Sequence, residues 1–515
     1  MSWNYNKSRE RIQSHLDGMG EIEVEKLVRE ADLNNLLSET KCREIYGSHV
    51  YVQISNFTQL ASQDLDEDSY KELIQAIHIY QREVSRIVEN IDIFDALRVH
   101  FQGPKLHTLI YRPIDDSEEL AARAVLLQLV LKDFVKSVFN PAFDYVDDFT
   151  IAGGADIGDA IGTRNGSRGD RELLFIGSPA NHAAKIISSA GRLRITGRIY
   201  DALANDLKEI CEKVDDNLYK IKSISQADLD ELCEIYDIGW DREASADRIE
   251  DDKDLFPIDI ISYSSADTLI KIDNLSIRNN KRVQAATIYA DVSGFTKYIE
   301  SAETYDQQES ALRVFHAIRK EMARVLKYDF EGVRVQFQGD RVQGLFHLPK
   351  DDDEAIAEKV VNVAIALQSS MEITIKECLP EADSLTLAIG IDLGTTLVSK
   401  LGKRAHRDRI CLGDAVERAA ANEERVKGKE IGVGKAVYEA LPDHLKEHFF
   451  YNSSALCYVA KGLTVEKVER VAKAQAYRSG GSFYINPSSS GVTISKEEST
   501  GAKEIIPSRS YAPES

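Results

Sequence analysis

The sequence predicts an α+β protein built from two tandem copies of one α/β sandwich domain. Three observations carry this: a length beyond one core, an internal repeat at a constant offset, and strand and helix patterns in the same order in both copies. At 515 residues the chain exceeds what a single hydrophobic core covers and accommodates two domains or three. Arg98-Val99-His100-Phe101-Gln102-Gly103 recurs as Arg334-Val335-Gln336-Phe337-Gln338-Gly339, an offset of 334 − 98 = 236. The same offset relates Gly154, Asp156 and Gly158 to Gly390, Asp392 and Gly394, and Gly177 to Gly413. Upstream, Val52-Gln53-Ile54-Ser55-Asn56-Phe57-Thr58 answers Ala290-Asp291-Val292-Ser293-Gly294-Phe295-Thr296 at 290 − 52 = 238. Chance apolar patterning does not hold a register over such spans.

In the second copy, the β-rich run from Ala286 to Ala290 reads as a strand that ends at Ser293-Gly294 and enters a helix through Tyr298 and Ile299. A hairpin follows: Val335 and Phe337 alternate with Arg334, Gln336 and Gln338 before a Gly339-Asp340 turn and a second strand to Leu348. Behind the acids Asp351-Asp352-Asp353, which favour a helix N-terminus, Ile356, Val360, Val363, Ile365 and Leu367 mark a long helix. A strand over 385–391, a loop rich in glycine and basic residues, and a helix from Ala415 complete the unit. Strands alternating with helices on one sheet make a sandwich. The expected boundaries are 1–222 for the first copy, 223–281 for an acidic, partly helical connector, 282–479 for the second copy and 480–515 for a flexible Ser/Gly-rich tail.

Composition narrows the function. Sixty-four Lys and Arg against 85 Asp and Glu give a net charge of −21, a field that repels nucleic-acid polymers and anionic membranes. A small anionic substrate then needs a metal ion or a local cluster of donors. No apolar run approaches the length of a membrane span, and the start lacks a basic-then-apolar leader pattern. The six cysteines show no CxxC pairing and read as buried thiols in a reducing compartment, so a cytoplasmic location is expected.

Asp291 ends one strand and Asp340 sits at the tip of a hairpin. Where those strands are neighbours, both carboxylates reach one edge and suit two Mg²⁺ or Mn²⁺ ions roughly 3.5–4 Å apart. Ser293-Gly294-Phe295-Thr296 follows at once, so backbone N–H groups at a helix start point to the same place and suit phosphates. The structural alternative is that Asp340 completes a Gly-Asp turn and Asp291 caps a strand.

Tyr289-Ala290-Asp291-Val292-Ser293-Gly294-Phe295-Thr296, then Gly339-Asp340, then Leu412-Gly413-Asp414-Ala415-Val416 resemble, in order and spacing, the three signature segments of class III adenylyl and guanylyl cyclases. The resemblance implies two cyclase-like domains packed head to tail as an intramolecular pseudo-dimer. It implies two divalent cations, Mn²⁺ or Mg²⁺, held by Asp291, the Val292 carbonyl and Asp340, and attack of a substrate 3′-hydroxyl on the α-phosphorus with loss of pyrophosphate. In this family one domain brings metals and the other brings base-binding and transition-state residues. The first copy has Gln53 and Pro104 at the metal positions but keeps Asn181, the family's transition-state asparagine, and Lys185 where the family usually has arginine. The second copy keeps both aspartates but has Glu417 and Ala421 at those places. Complementary loss leaves one complete site. Arg404 either completes the phosphate clamp or belongs to a solvated basic loop. Lys461 resembles a late family lysine but lies in the wrong copy, so Lys220 or Lys222 is the candidate.

The positions at which purine cyclases of this family read the base are His100 and Leu174 in the first copy. Neither purine signature is present. Strand alternation places Arg98 on the same face as His100, and two donors suit the carbonyls of uracil. Phe337 to Arg341, the opening Met1-Ser2-Trp3-Asn4-Tyr5-Asn6-Lys7-Ser8 and the two-copy layout resemble the bacterial pyrimidine cyclases of the Pycsar anti-phage system. That resemblance implies UTP as substrate, with CTP the alternative, and a partner effector activated by the cyclic nucleotide. A purine cyclase with an unusual pocket and a catalytically dead nucleotide-binding module are the competing readings.

Overall fold

The computed structural model describes residues 3–61, 66–165, 172–188, 190–302, 304–403 and 407–469. Arg404 and the expected tail over 480–515 lie outside these described residues.

Two nine-stranded sheets share one strand order. The first runs Leu97–Gln102, Lys105–Ile110, Lys41–Ile54, Ile151–Asn165, Leu193–Thr196, Leu218–Ile221 and Cys211–Asp215, with Glu23–Lys26 beside Lys41–Ile54 and Glu172–Ile176 beside Ile151–Asn165. The second repeats it as Val333–Gln338, Arg341–Phe346, Asn280–Ser293, Thr386–Leu401, Glu430–Val433, Cys457–Lys461 and Phe450–Asn452, with Tyr263–Ser264 and Asp408–Leu412 off the path. One face of each sheet is covered by two helices, Glu67–Glu89 with Ser117–Phe134 and Tyr305–Arg324 with Asp353–Ser369. The acids read as helix starters behave as such: Asp116 and Asp352 each accept a backbone N–H at 3.0 Å, from Glu119 and Ala355.

One expectation changes. The strand expected over 385–391 continues as Thr386–Leu401 and returns as Asp408–Leu412, so most of the presumed basic loop is an antiparallel hairpin. Its β-branched and aliphatic residues, Leu393, Thr395, Leu397 and Val398 among them, fill a sheet once a partner strand is present. Within the acidic, partly helical connector expected over 223–281 lie the helices Gln226–Ile235 and Arg242–Leu255, and the strand Asn280–Ser293 starts two residues before position 282.

Arg242–Leu255 docks on the first copy, where Arg248 pairs with Glu83 at 2.6 Å and buried Asp252 takes Arg82 at 2.8 Å and Arg86 at 2.7 Å. The helix Tyr5–Gly18 docks on the second copy, where Arg11 pairs with Glu321 at 2.6 Å and Trp3 Nε1 donates to Ser370 at 2.7 Å. Trp3, Ser8, Arg11 and Ile12 answer Trp240, Ser245, Arg248 and Ile249 at 240 − 3 = 237. The duplicated unit therefore begins with a helical arm that crosses to the other copy. No described helix is long and apolar enough to cross a membrane, and all six cysteines are free thiols.

Candidate active site

The hairpin Val333–Gln338 and Arg341–Phe346 pairs with Asn280–Ser293, with Ala290 opposite Val342. That register brings the Gly339-Asp340 turn to the end of the strand that carries Asp291. Gly339 has φ +68°, a left-handed conformation that glycine adopts without strain, which makes so tight a turn possible. Burial pushes the Asp291 carboxyl up, opposed by Arg341 and Lys185. Burial, and then the Asp291 charge, push Asp340 well above the ordinary carboxylate range. Burial also pushes Glu423, on the helix Asp414–Arg425, up to about 7. Two buried hard-oxygen groups that repel each other are the donor chemistry a divalent cation neutralises. No cluster of three or more His, Cys, Asp or Glu side chains suited to a metal occurs among the described residues. Asp291 and Asp340, with the main-chain carbonyl of Val292 adjacent in the strand, are the groups that could hold a cation here.

The opposite wall belongs to the first copy. The helix Ser178–Lys185 lies on the strand Ile151–Asn165, and Gly154 permits the approach: a Cβ there would stand 2.3 Å from the Ala183 carbonyl oxygen. Asn181 Nδ2 donates to Thr296 Oγ1 across the interface at 3.0 Å. Lys185 is exposed and acts electrostatically on Asp291. The mirror contact is Thr58 Oγ1 donating to Glu417 at 3.1 Å. These reciprocal contacts relate the copies by an approximate two-fold, so Asp291, Asp340, Asn181 and Lys185 face one cleft. The equivalent place on the other side holds Gln53, Pro104, Glu417 and Ala421. Ser293 ends its strand and Gly294 opens the helix Phe295–Glu300, while the Phe295 ring is buried and stacks on Phe315 at 4.8 Å. Phe295 thus offers only its backbone to a ligand.

The base-reading residues fall differently from the alternation argument. A bulge between Arg98 and His100 puts them opposite the successive residues Thr108 and His107, so strict two-residue alternation does not apply. Arg98 is buried and bonds Asp408 of the second copy at 2.5 Å, with Glu89 at 3.4 Å. It is an interface residue as well as a lining residue. His100 accepts from the Gln102 side-chain amide at 2.6 Å, and burial lowers its pKa to about 4, which keeps the ring neutral with its proton on Nδ1. Both line an inter-copy cavity of about 210 Å³ with Glu172, Leu173, Phe337, Asp408 and Arg409. Leu174 turns away from that cavity into an apolar cluster that includes Phe295 and Phe315. Lys220 and Lys461 make ion pairs with Glu212 at 3.0 Å and Glu430 at 3.5 Å, and Lys222 donates to the Glu209 carbonyl at 2.8 Å.

Sequence reasoning missed the arginine beside the two carboxylates and the acid–arginine cluster that joins the copies. Arg341 follows Asp340, pairs with Glu423 at 3.0 Å and lies 4.1 Å over the Tyr289 ring. Glu172 of the first copy takes Arg319 at 2.8 Å and Arg334 at 2.7 Å. Arg334 was visible as the repeat of Arg98, but its acidic partner lies far away along the chain.

Residues 278–466 match the family model of the adenylate and guanylate cyclase catalytic domain. A uridylate cyclase from Pseudomonas aeruginosa is 28% identical over 456 residues, covering 85% of this chain and 86% of that protein. A uridylate cyclase from a Rhizobium species is 26% identical over 415 residues, covering 75% of each. The crystal structure of a class III adenylyl cyclase-like ATP-binding protein from Pseudomonas aeruginosa shares the fold, with TM-score 0.79 over 92% of this chain and 100% of that one at 24% identity. The second copy thus matches the adenylate and guanylate cyclase catalytic domain, and across most of its length the chain is similar to uridylate cyclases and shares the fold of a class III adenylyl cyclase-like protein.

Proposed function

We propose that the protein converts UTP to 3′,5′-cyclic UMP and pyrophosphate. The observation that carries this reading is complementary asymmetry. The paired carboxylates Asp291 and Asp340 occur only in the second copy, Asn181 and Lys185 only in the first, and the Asn181–Thr296 bond at 3.0 Å brings the two sets together. Asp291, the Val292 carbonyl and Asp340 would hold two divalent cations, Mn²⁺ or Mg²⁺, which would lower the pKa of the 3′-hydroxyl and neutralise leaving-group charge. Ser293 to Thr296 supply backbone donors to the phosphates at the start of their helix. The 3′-oxygen gives up its proton to water and bonds to the α-phosphorus, while the bond from that phosphorus to the pyrophosphate oxygen breaks and pyrophosphate leaves with the electron pair. Asn181 orients the reacting ribose and phosphate, and Lys185 places positive charge beside the α-phosphate as negative charge develops there. Arg404 remains the candidate for completing the phosphate clamp.

Uracil is the favoured base because both relatives above are uridylate cyclases and because neutral His100 presents one donor to a carbonyl acceptor. Arg98 reinforces the donor character of the same cavity. The cyclic nucleotide would act on a partner effector in anti-phage defence, in the cytoplasm, where free thiols persist. Incubation with each of the four nucleoside triphosphates and Mn²⁺ tests the reading. Cyclic UMP should exceed cyclic CMP by about tenfold in kcat/KM, the effect of one unpaired buried donor. Preferential turnover of CTP or of a purine nucleotide would overturn the base assignment, and no turnover of any would leave a nucleotide-binding module.

A further inference from the structure

Arg319 lies on the helix Tyr305–Arg324 with 2% of its surface exposed. Its Nη1 donates to the Gly339 carbonyl at 2.6 Å, in the turn that holds Asp340. Its Nη2 donates to Glu172 of the first copy at 2.8 Å, and its guanidinium lies 3.9 Å over the Phe337 ring. Glu172 stands at the start of the strand Glu172–Ile176, which leads through Gly177 into the helix bearing Asn181 and Lys185. One planar group therefore joins the metal-side turn of one copy to the strand that delivers the transition-state residues of the other.

The rest of this contact is two-fold symmetric and this part is not. Arg334 on Glu172 is mirrored by Arg98 on Asp408, at 2.7 and 2.5 Å. Arg319 has no such mirror: at the offset of 238 that relates the preceding strands, the first copy has Gln81, and its hairpin carries Pro104 in place of the aspartate. The arginine occurs where the aspartate does. We infer that Arg319 is a positioning residue that registers the Gly339-Asp340 turn against the first copy, so that the carboxylate is correctly placed only when the two copies are docked. Lysine cannot replace it, because a single ammonium lacks the fork that reaches a carbonyl and a carboxylate at once.

This inference rests on the reading of Asp340 as a metal ligand. Its test uses the full chain with Arg319→Met, Arg319→Lys and Glu172→Gln, measuring UTP kinetics and, without nucleotide, Mn²⁺ binding from the electron paramagnetic resonance of the free ion. Arg319→Met should lower kcat about 100-fold, as an error of about 1 Å in a catalytic group does, and weaken Mn²⁺ binding about tenfold, with KM within about threefold. Arg319→Lys should fall between it and wild type, and it serves as the informative variant if Arg319→Met does not fold. Glu172→Gln also releases Arg334, so the expected sign of the shared link is coupling: its loss of kcat should be smaller in the Arg319→Met background than in the wild type. Gln81→Met should leave kcat within about twofold. Wild-type kcat and Mn²⁺ affinity in Arg319→Met would overturn the inference, as would a raised KM at unchanged kcat, which would place Arg319 on the substrate. A fully active Asp340→Ala would instead sink the metal assignment itself.

Discussion

Substituting Gly154 by alanine places one methyl group under the helix Ser178–Lys185, without touching any residue proposed to meet substrate. The new Cβ would lie 2.3 Å from the Ala183 carbonyl oxygen and 2.9 Å from Ile186 Cγ1. Ordinary contact begins near about 3.5 Å, so the helix must retreat by roughly 1 Å. Asn181 rides on that helix, and its 3.0 Å bond to Thr296 would stretch to about 4 Å, outside hydrogen-bonding range. Overpacking of this kind costs about 1–3 kcal/mol of stability, which a domain of this size survives. A displacement of that size at the reacting centre costs about 100-fold in kcat. Steady-state release of pyrophosphate from UTP with Mn²⁺ gives kcat and KM, and circular dichroism checks the fold. The expected result is a kcat loss approaching that of Asn181→Ala, with KM nearly unchanged. A folded Gly154→Ala protein with wild-type kcat would refute the argument that this helix delivers the transition-state group.

Asp340→Asn should abolish turnover yet raise the thermal midpoint of the metal-free protein, because it removes charge from a buried, mutually repelling pair. It should also erase stabilisation by Mn²⁺, which for the wild type reaches about 2.7 kcal/mol at a hundredfold excess over Kd; undiminished Mn²⁺ stabilisation in the variant would count against the metal site. Acid should destabilise the fold through its buried histidines. The buried carboxylates Asp291, Asp340 and Glu423 oppose this over the same range, because their raised pKa values make them gain stability as pH falls. Burial holds His49, His78 and His316 at pKa values of about 3, whereas the unfolded value is 6.5, so the unfolded chain binds more protons below pH 6.5. The histidine contribution to stability is complete above that pH and falls by about 1.4 kcal/mol per unit per histidine toward about pH 3. Because those carboxylates oppose the effect, the check is His316→Gln, whose urea midpoint should fall less than that of the wild type between about pH 7.5 and 5; an equal change in both proteins would contradict this. Arg11→Ala and Arg248→Ala each remove a charged hydrogen bond between a helical arm and the opposite copy and should cost about 1.5–3 kcal/mol in denaturant titrations. No loss in either would mean the arms are passive.

The sequence by itself determined the duplication, the α/β order of each copy and the partition of chemical groups between copies. Those properties are carried by residue identity at fixed offsets: a proline at 104 has no ligand to offer whatever surrounds it, and aspartates at 291 and 340 do. Pattern also located the hairpin that carries Asp340, because a Gly-Asp turn between alternating strands is a local matter of backbone geometry. What depended on distant partners was not legible. The arms read as an acidic connector because Arg248 and Asp252 look solvated until Glu83, Arg82 and Arg86 close around them. Their repeat of Trp3, Ser8, Arg11 and Ile12 as Trp240, Ser245, Arg248 and Ile249 was present as a signal, but it is sparse and shifts offset. Arg98 looked like a free donor on a strand face, yet a bulge and the carboxylate of Asp408 from the other copy decide its direction. Arg319 and Glu172 could not be paired in advance, because their 2.8 Å contact exists only once two separately folded sheets meet. Only the tertiary structure sets such contacts, since the energy of a buried charge depends on which opposite charge arrives beside it and not on its neighbours in the chain.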